Sequence, residues 1–488
     1  MSQGIESSPV RQQRAAALDA LRGLSILLML FASSIPFGVL PSWMYHAQEP
    51  PPTHIFNPNL PGITWVDLVF PFFLFTMGAA IPLALSRRLK DGISPWRVLP
   101  AVIWRWILLV GFALYVSQIR PQVISNNPDW RVWLLALLGF ALLFPILAKL
   151  PGSWSTTTKY SVRAVGWVGA VLLMVFLRFP DGTGFSLYRS DIIILVLANV
   201  ALFGGVIWLF TRERLFVRLG IMGLLVAMRL SAHTPGWIQV FWNYSPISWA
   251  YQFRFLQYLL IAFPGTIVGD MMIKWMGQTA GASVSEPRWN GSKLASIAFL
   301  MIAVNAAVVI GLKAQWVLGT LIVTVVLCAA GWMLVDGPGS STENLIRRFY
   351  RWGVYWLFLG LLFEPYEGGI KKDPATLSYY FVTSGLAIFV LIALMISLDI
   401  LKQRKGFQFL IDSGQNPMIA YAGINSLILP LLAITRLDVL LQILTPSDDA
   451  SISSSTNVPP DIPVVSRVPM ESPVVASRIS IGSSLLDA

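Results

Sequence analysis

This chain is short of charge. Asp, Glu, Lys and Arg together make up 12% of its 488 residues, about half the share that a hydrated globular surface carries. That deficit excludes an ordinary soluble domain. Cysteine is scarcer: Cys328 is the one cysteine, so neither an intramolecular disulfide nor a cysteine metal cluster is available. It lies within an apolar run and reads as helix packing. Histidine occurs three times, without a third ligand at any defined spacing, and no metal site is read. The net charge of +11 comes with no basic aromatic face and no nucleic-acid motif, which excludes nucleic acid as a partner. A cleavable leader is also missing. The first apolar run follows Arg11 and Arg14 directly, with no small-residue cleavage pattern.

What is present is apolar. Hydrophobic residues make up 55% of the chain, aromatics 12%, and Trp occurs 19 times; the mean hydropathy is +0.67. A span needs about 20 apolar residues. Such runs occur at 18–40, 63–85, 98–117, 131–149, 162–178, 190–210, 215–231, 254–275, 294–312, 315–335, 352–364, 378–400 and 416–444. The runs at 162–178, 215–231 and 352–364 are the weakest. The expected fold is therefore an all-α polytopic transmembrane helix bundle of about 11–13 spans. Residues 445–488 form a Ser/Pro-rich tail with no spanning run and the composition of a disordered segment.

Basic residues orient the bundle. With a cytoplasmic N-terminus, the outer loops hold only Arg120, Arg131, Arg178, Arg189, Arg229, Lys313, Lys371 and Lys372. The inner loops hold many more, among them Arg87, Arg88, Lys90, Arg212, Arg214, Arg347, Arg348, Arg351, Lys402 and Lys405. That is the positive-inside bias.

Ionisable groups within spans point to function or to pairing. Asp19 and Arg22, one turn apart in Leu18-Asp19-Ala20-Leu21-Arg22-Gly23, either anchor the first helix or begin an inner-side anion site joined by Arg87, Arg88 and Arg105. Arginine suits phosphate because its planar fork donates two hydrogen bonds at once. All three histidines, His46, His54 and His233, fall on the outer side, two of them in the first outer loop. An imidazole there can carry a proton or an acyl group at neutral pH, and Asp67 at the mouth of the second span can orient it. The plainer readings are solvated loop histidines and a helix-capping Asp. Lys371 and Lys372 either bind an anionic glycan or are solvated. Asn416, before Pro417, either bonds a ligand or satisfies backbone freed by the proline.

Leu18-Asp19-Ala20-Leu21-Arg22-Gly23, followed by Trp65-Val66-Asp67-Leu68-Val69-Phe70-Pro71 and Gly78, resembles the heparan-α-glucosaminide N-acetyltransferase family and its bacterial relatives. The second motif is the more specific. Lys372 ahead of Ser378-Tyr379, and Gly414-Gln415-Asn416-Pro417, extend the likeness over roughly residues 11–440. The resemblance implies a membrane acyltransferase domain over 1–444 that takes acetyl groups from cytosolic acetyl-CoA, as co-substrate, to an amino sugar or glycan acceptor on the far side. It also implies a bacterial inner-membrane location. The family's essential histidine lies in the first outer loop before a Gly-x-Thr-x-x-Asp-Leu-Val-Phe-Pro segment, which selects His54 as catalytic with Asp67. The interval from His54 to Gly62 is longer than the family's, and His46 remains the alternative. Asp19, Arg22, Arg87, Arg88 and Arg105 then hold acetyl-CoA, while His46, Lys372 and Asn416 meet the acceptor. The chain departs from the family in its Ser/Pro-rich end and in a hairpin at 294–335 that animal members lack. An O-acetyltransferase of a cell-envelope glycan, or a transporter or flippase without acyl transfer, are the other readings, and a homodimer is compatible with all of them.

Overall fold

A computed structural model describes residues 9–35, 37–38, 40–90, 92–148, 150–279, 289–337 and 339–436. The tail read at 445–488, the end of the last apolar run, and most of the Gly/Ser-rich loop before residue 289 lie outside the described residues.

A backbone in hydrocarbon must satisfy its own hydrogen bonds, and the α-helix does so within one segment. The principal helices are α1 (Pro9–Ser34), α2 (Trp65–Lys90), α3 (Pro95–Gln118), α4 (Trp130–Leu147) and α5 (Thr156–Phe176). They are followed by α6 (Ile192–Thr211), α7 (Leu215–Ser231), α8 (Leu259–Thr279), α9 (Gly291–Lys313) and α10 (Val317–Val335). The series ends with α11 (Ser341–Phe363), α12 (Leu377–Met395), α13 (Gln408–Gln415), α14 (Pro417–Gly423) and α15 (Leu429–Thr435). Among the described residues the only strand-like pairings are two isolated bridges.

Among the described residues, eleven segments are long and apolar enough to cross a bilayer. The chain is a multi-pass integral membrane protein of the expected all-α class. Two of the thirteen apolar runs fall short, both among the weakest three. The helix α7 has only 17 residues, and α11 carries Glu343, Arg347, Arg348 and Arg351 in its first half.

The bundle is built around α12, every residue of which is buried. It is enclosed by α11, α9, α2, α1 and α8. Between helices in lipid the hydrophobic effect offers little, so close approach of backbones takes its place. A Cβ on Gly78 of α2 would overlap the carbonyl of Ala262 in α8, and one on Gly265 would overlap that of Phe75. The same device joins α1 to α13. A side chain on Gly23 would strike the Leu410 carbonyl, and one on Gly414 would strike the Asp19 carbonyl. Two sequence motifs far apart in the chain therefore meet at one crossing.

The helix α2 sets the length scale. Asp67 lies in its first turn and Arg88 near its end, about 30 Å apart at 1.5 Å per residue, which is one hydrocarbon thickness. The bundle thus has a histidine end and an arginine end.

Candidate active site

The histidine end is assembled by the entry to α2. Thr64 and Asp67 have the spacing of a capping box, and the Thr64 amide donates to Asp67 Oδ2 at 2.9 Å. The Ala47 amide and the Thr64 hydroxyl donate to the same oxygen, at 3.2 and 3.3 Å. The positive end of the helix dipole favours a carboxylate here. The second oxygen faces the imidazole instead, with Asp67 Oδ1 standing 2.8 Å from His46 Nδ1. One oxygen of Asp67 thus meets the helix entry and the other meets His46.

A carboxylate only accepts, so this contact places the imidazole proton on Nδ1, donated to Asp67, and makes Nε2 the acceptor nitrogen of the ring. Lys372 Nζ lies 3.1 Å from His46 Nδ1, 3.3 Å from Nε2 and 4.0 Å from Asp67 Oδ1. The Asp67 side chain is 2% exposed, His46 20% and Lys372 30%. A buried carboxylate thus holds a partly exposed imidazole. Tyr379, in the first turn of α12, donates its hydroxyl to the Asp67 carbonyl at 2.7 Å and locks the two helix entries together.

The loops that carry His46 and Lys372 are held in register. Gln48 Nε2 donates to the Asp373 carbonyl at 2.5 Å, and the Asp373 amide donates back to Gln48 Oε1 at 2.9 Å. Gly62 turns the chain into α2 at φ 123°, a conformation that favours glycine, and its amide donates to the Ile370 carbonyl at 2.7 Å. Burial holds the Asp373 carboxyl above the usual carboxylate range, against the pull of Lys372 and His46. Burial also raises Glu364.

His54 is placed differently from the sequence expectation. Its Nε2 accepts from the Gly38 amide at 3.1 Å, and its ring stacks on Phe37 at 4.4 Å and meets Tyr45 edge-on at 4.5 Å. It is not the histidine that Asp67 orients. His233 contacts Arg229 and stands apart from His46. Asn416 donates to the Asp412 carbonyl at the arginine end, so it does not share a site with Lys372. The sequence reading did not single out Gln48, Thr64 or Arg229. Only the Thr64-x-x-Asp67 spacing carried a usable signal.

At the arginine end, Arg22 Nη1 donates to the Gly414 carbonyl at 3.1 Å and to Asp19 Oδ1 at 3.3 Å. A pocket of about 130 Å³ opens between α2, α3 and α6, with Arg88 and Arg105 in a wall otherwise formed by Met77, Ile81, Leu85, Val102 and small residues. Neither Arg88 nor Arg105 has an acidic partner among the described residues. Arg87, like Arg88 and Arg105, is exposed, but it does not line the pocket. No group of three or more potential metal ligands occurs among the described residues.

Residues 14–272, just over half of the chain, match a family described as a domain of unknown function, DUF5009. The chain is 32% identical to the heparan-alpha-glucosaminide N-acetyltransferase of Homo sapiens over 118 residues, 24% of this chain and 15% of that protein. It is 32% identical to the Mus musculus protein of the same name over 117 residues, 24% of this chain and 16% of that one. The matched segment therefore spans only 15–16% of the length of these curated relatives. The family likeness carried by the motifs is borne out as a distant homology.

Proposed function

The chain belongs to the DUF5009 family, and from that premise we propose that it is a membrane-embedded acetyltransferase. Acetyl-CoA enters from the cytoplasmic side at the arginine end, and the acceptor is an amino sugar of glucosamine type at the histidine end. The excess of basic residues in the loops of the arginine end supports this orientation, and a bacterial inner membrane is the setting proposed. The single observation that carries the reading is the 2.8 Å contact of His46 Nδ1 with Asp67 Oδ1, which makes Nε2 the proton-accepting nitrogen, with the Lys372 ammonium near both ring nitrogens.

A guanidinium without an acidic partner calls for an anion where it lies inside a span, as Arg105 does in α3, with Arg88 near the end of α2. Arg88, Arg105 and Arg22 answer to the phosphates of acetyl-CoA, with Asp19 holding Arg22 in place. The pocket follows α2 from Arg88 to Met77, about 16 Å of rise, and about 15 Å more separates Met77 from Asp67. The pantetheine arm covers that remainder and brings the thioester to His46.

There the acceptor nitrogen attacks the acetyl carbonyl. A C–N bond forms, the C–S bond breaks, and His46 Nε2 takes the amine proton and returns it to the departing thiolate. Asp67 holds the productive tautomer and balances the transient imidazolium. Lys372 stabilises the negative charge that develops on the carbonyl oxygen.

Acetyl transfer from radiolabelled acetyl-CoA to glucosamine, with detergent-purified wild type, His46→Ala and His54→Ala, tests this. The expected outcome is a loss of about 10²–10⁴-fold for His46→Ala and near wild-type turnover for His54→Ala. Turnover by His46→Ala at the wild-type rate would overturn the assignment.

A further inference from the structure

Lys372 can serve the reaction only if its loop is held over His46, and the loop spans 364–376, between α11 and α12. Its tip is held by Gln48 through Asp373. Its base is held from a helix that the mechanism does not use. Arg229, in the last turn of α7, pairs with Glu367 Oε1 at 3.0 Å and donates to the Ala375 carbonyl at 3.1 Å. Glu367 Oε2 in turn accepts from the Leu377 amide, the first of α12, at 2.6 Å. One guanidinium and one carboxylate therefore close the segment 367–377 into a ring, with Lys372 at its far side.

Within the ring, the Lys371 amide donates to the Thr376 hydroxyl at 3.1 Å, and the Thr376 amide donates to the Lys371 carbonyl at 3.1 Å. Displacing the base therefore carries the tip with it. The Arg229 side chain is 7% exposed and Glu367 17%. A pair this buried is weak evidence of stabilisation, because desolvation offsets the attraction. Its geometry is what counts: Nη2 alone meets both Glu367 and Ala375, while Nη1 lies 2.8 Å from His233 Nε2, so the planar group is fixed from both arms.

We propose that Arg229 is a positioning residue: through Glu367 and Ala375 it fixes the loop that sets Lys372 against His46. The proposal rests on the acetyltransferase reading for its kinetic consequence, whereas the clamp is a property of the loop itself. Two measurements separate the failure of one from the failure of the other.

The first is a double-mutant cycle of acetyl transfer over Arg229→Gln and Lys372→Ala. Each single change is expected to lower kcat, by up to about 10²-fold for a misplaced group, with KM for acetyl-CoA unchanged. Arg229→Gln in the Lys372→Ala background is expected to cost nothing further, since residues acting as a unit are not additive. Losses that simply multiply would overturn the proposal. Because Arg229→Gln leaves a carboxylate unpaired, Arg229→Gln/Glu367→Gln is run beside it as the charge-balanced form, with the same expectation. The second measurement places a nitroxide at Lys371→Cys in a Cys328→Ala background. Its spectrum should report greater mobility once Arg229 is replaced, by either variant. An unchanged spectrum sinks the clamp whether or not the protein transfers acetyl groups, and a mobile label on a protein that transfers none sinks the acetyltransferase reading alone.

Discussion

The side-chain amide of Gln48 closes two hydrogen bonds with the backbone of Asp373, donating at 2.5 Å and accepting at 2.9 Å. Gln48 follows His46 by two residues, and Asp373 follows Lys372 by one. This pairing makes two loops, distant in the chain, into one site of fixed geometry. Gln48 is 3% exposed, so its bonds do not compete with water.

Gln48→Glu keeps the acceptor for the Asp373 amide but sets a carboxylate against the Asp373 carbonyl. A buried polar group left without its partner costs about 1–3 kcal/mol. The expected result is a lower kcat for acetyl transfer, by about 10–10²-fold, with KM for acetyl-CoA unchanged. Equal losses in kcat and in acetyl-CoA affinity would show that Gln48 acts more broadly than on the His46–Lys372 register.

Arg105→Gln should act at the other end. Charge-assisted hydrogen bonds are worth about 1.5–3 kcal/mol, so KM for acetyl-CoA should rise about tenfold or more while kcat holds. Arg87→Gln is the control, because Arg87 does not line the pocket. If the two variants behave alike, the pocket between α2, α3 and α6 is not the phosphate site.

The helix crossings predict stability directly. Gly23→Ala places a Cβ on the Leu410 carbonyl and should destabilise by about 1–3 kcal/mol, the cost of overpacking. Gly111→Ala, in the interior of α3 with open space around it, should instead stabilise by about 0.5–1 kcal/mol. Thermal unfolding in detergent reads both. A neutral Gly23→Ala would mean that α1 and α13 are not in backbone contact.

Asp373 predicts a pH dependence. Burial raises its carboxyl above the ordinary value, against the opposing effect of Lys372 and then His46. The folded chain thus binds this proton more tightly than the unfolded chain. Wild type therefore loses stability as pH rises from about 4 through the raised value. Asp373→Asn has no such loss. Its unfolding midpoint should exceed that of wild type at pH 7, and the gap should close as pH falls toward about 4. A variant less stable than wild type at pH 7 contradicts the direction of the shift.

The division between sequence and structure is clearest at the two histidines of the first outer loop. Asp67 was legible, because a carboxylate at the mouth of an apolar run stands out as a cap or a partner. Its partner was not. Position along the chain favoured His54, but the loop doubles back so that the Asn57 amide donates to the Gln48 carbonyl at 2.8 Å. That return carries His54 to Phe37 and Tyr45 and leaves His46 on the carboxylate. Asn416 fails for a related reason: its motif belongs to the crossing of α13 with α1, which lies at the arginine end.

Composition and run length by themselves determined that this chain is an all-α membrane protein, because a bilayer admits long apolar helices and almost no charge between their ends. They also determined which ionisable residues stand out against that background. Which of those residues meet was decided only by the tertiary structure. His46 and Lys372 are 326 residues apart, and Arg22 and Gly414 are 392 apart. Contacts of that separation are fixed by glycine crossings and loop-to-loop hydrogen bonds, whose partners carry no periodicity that a linear sequence can display.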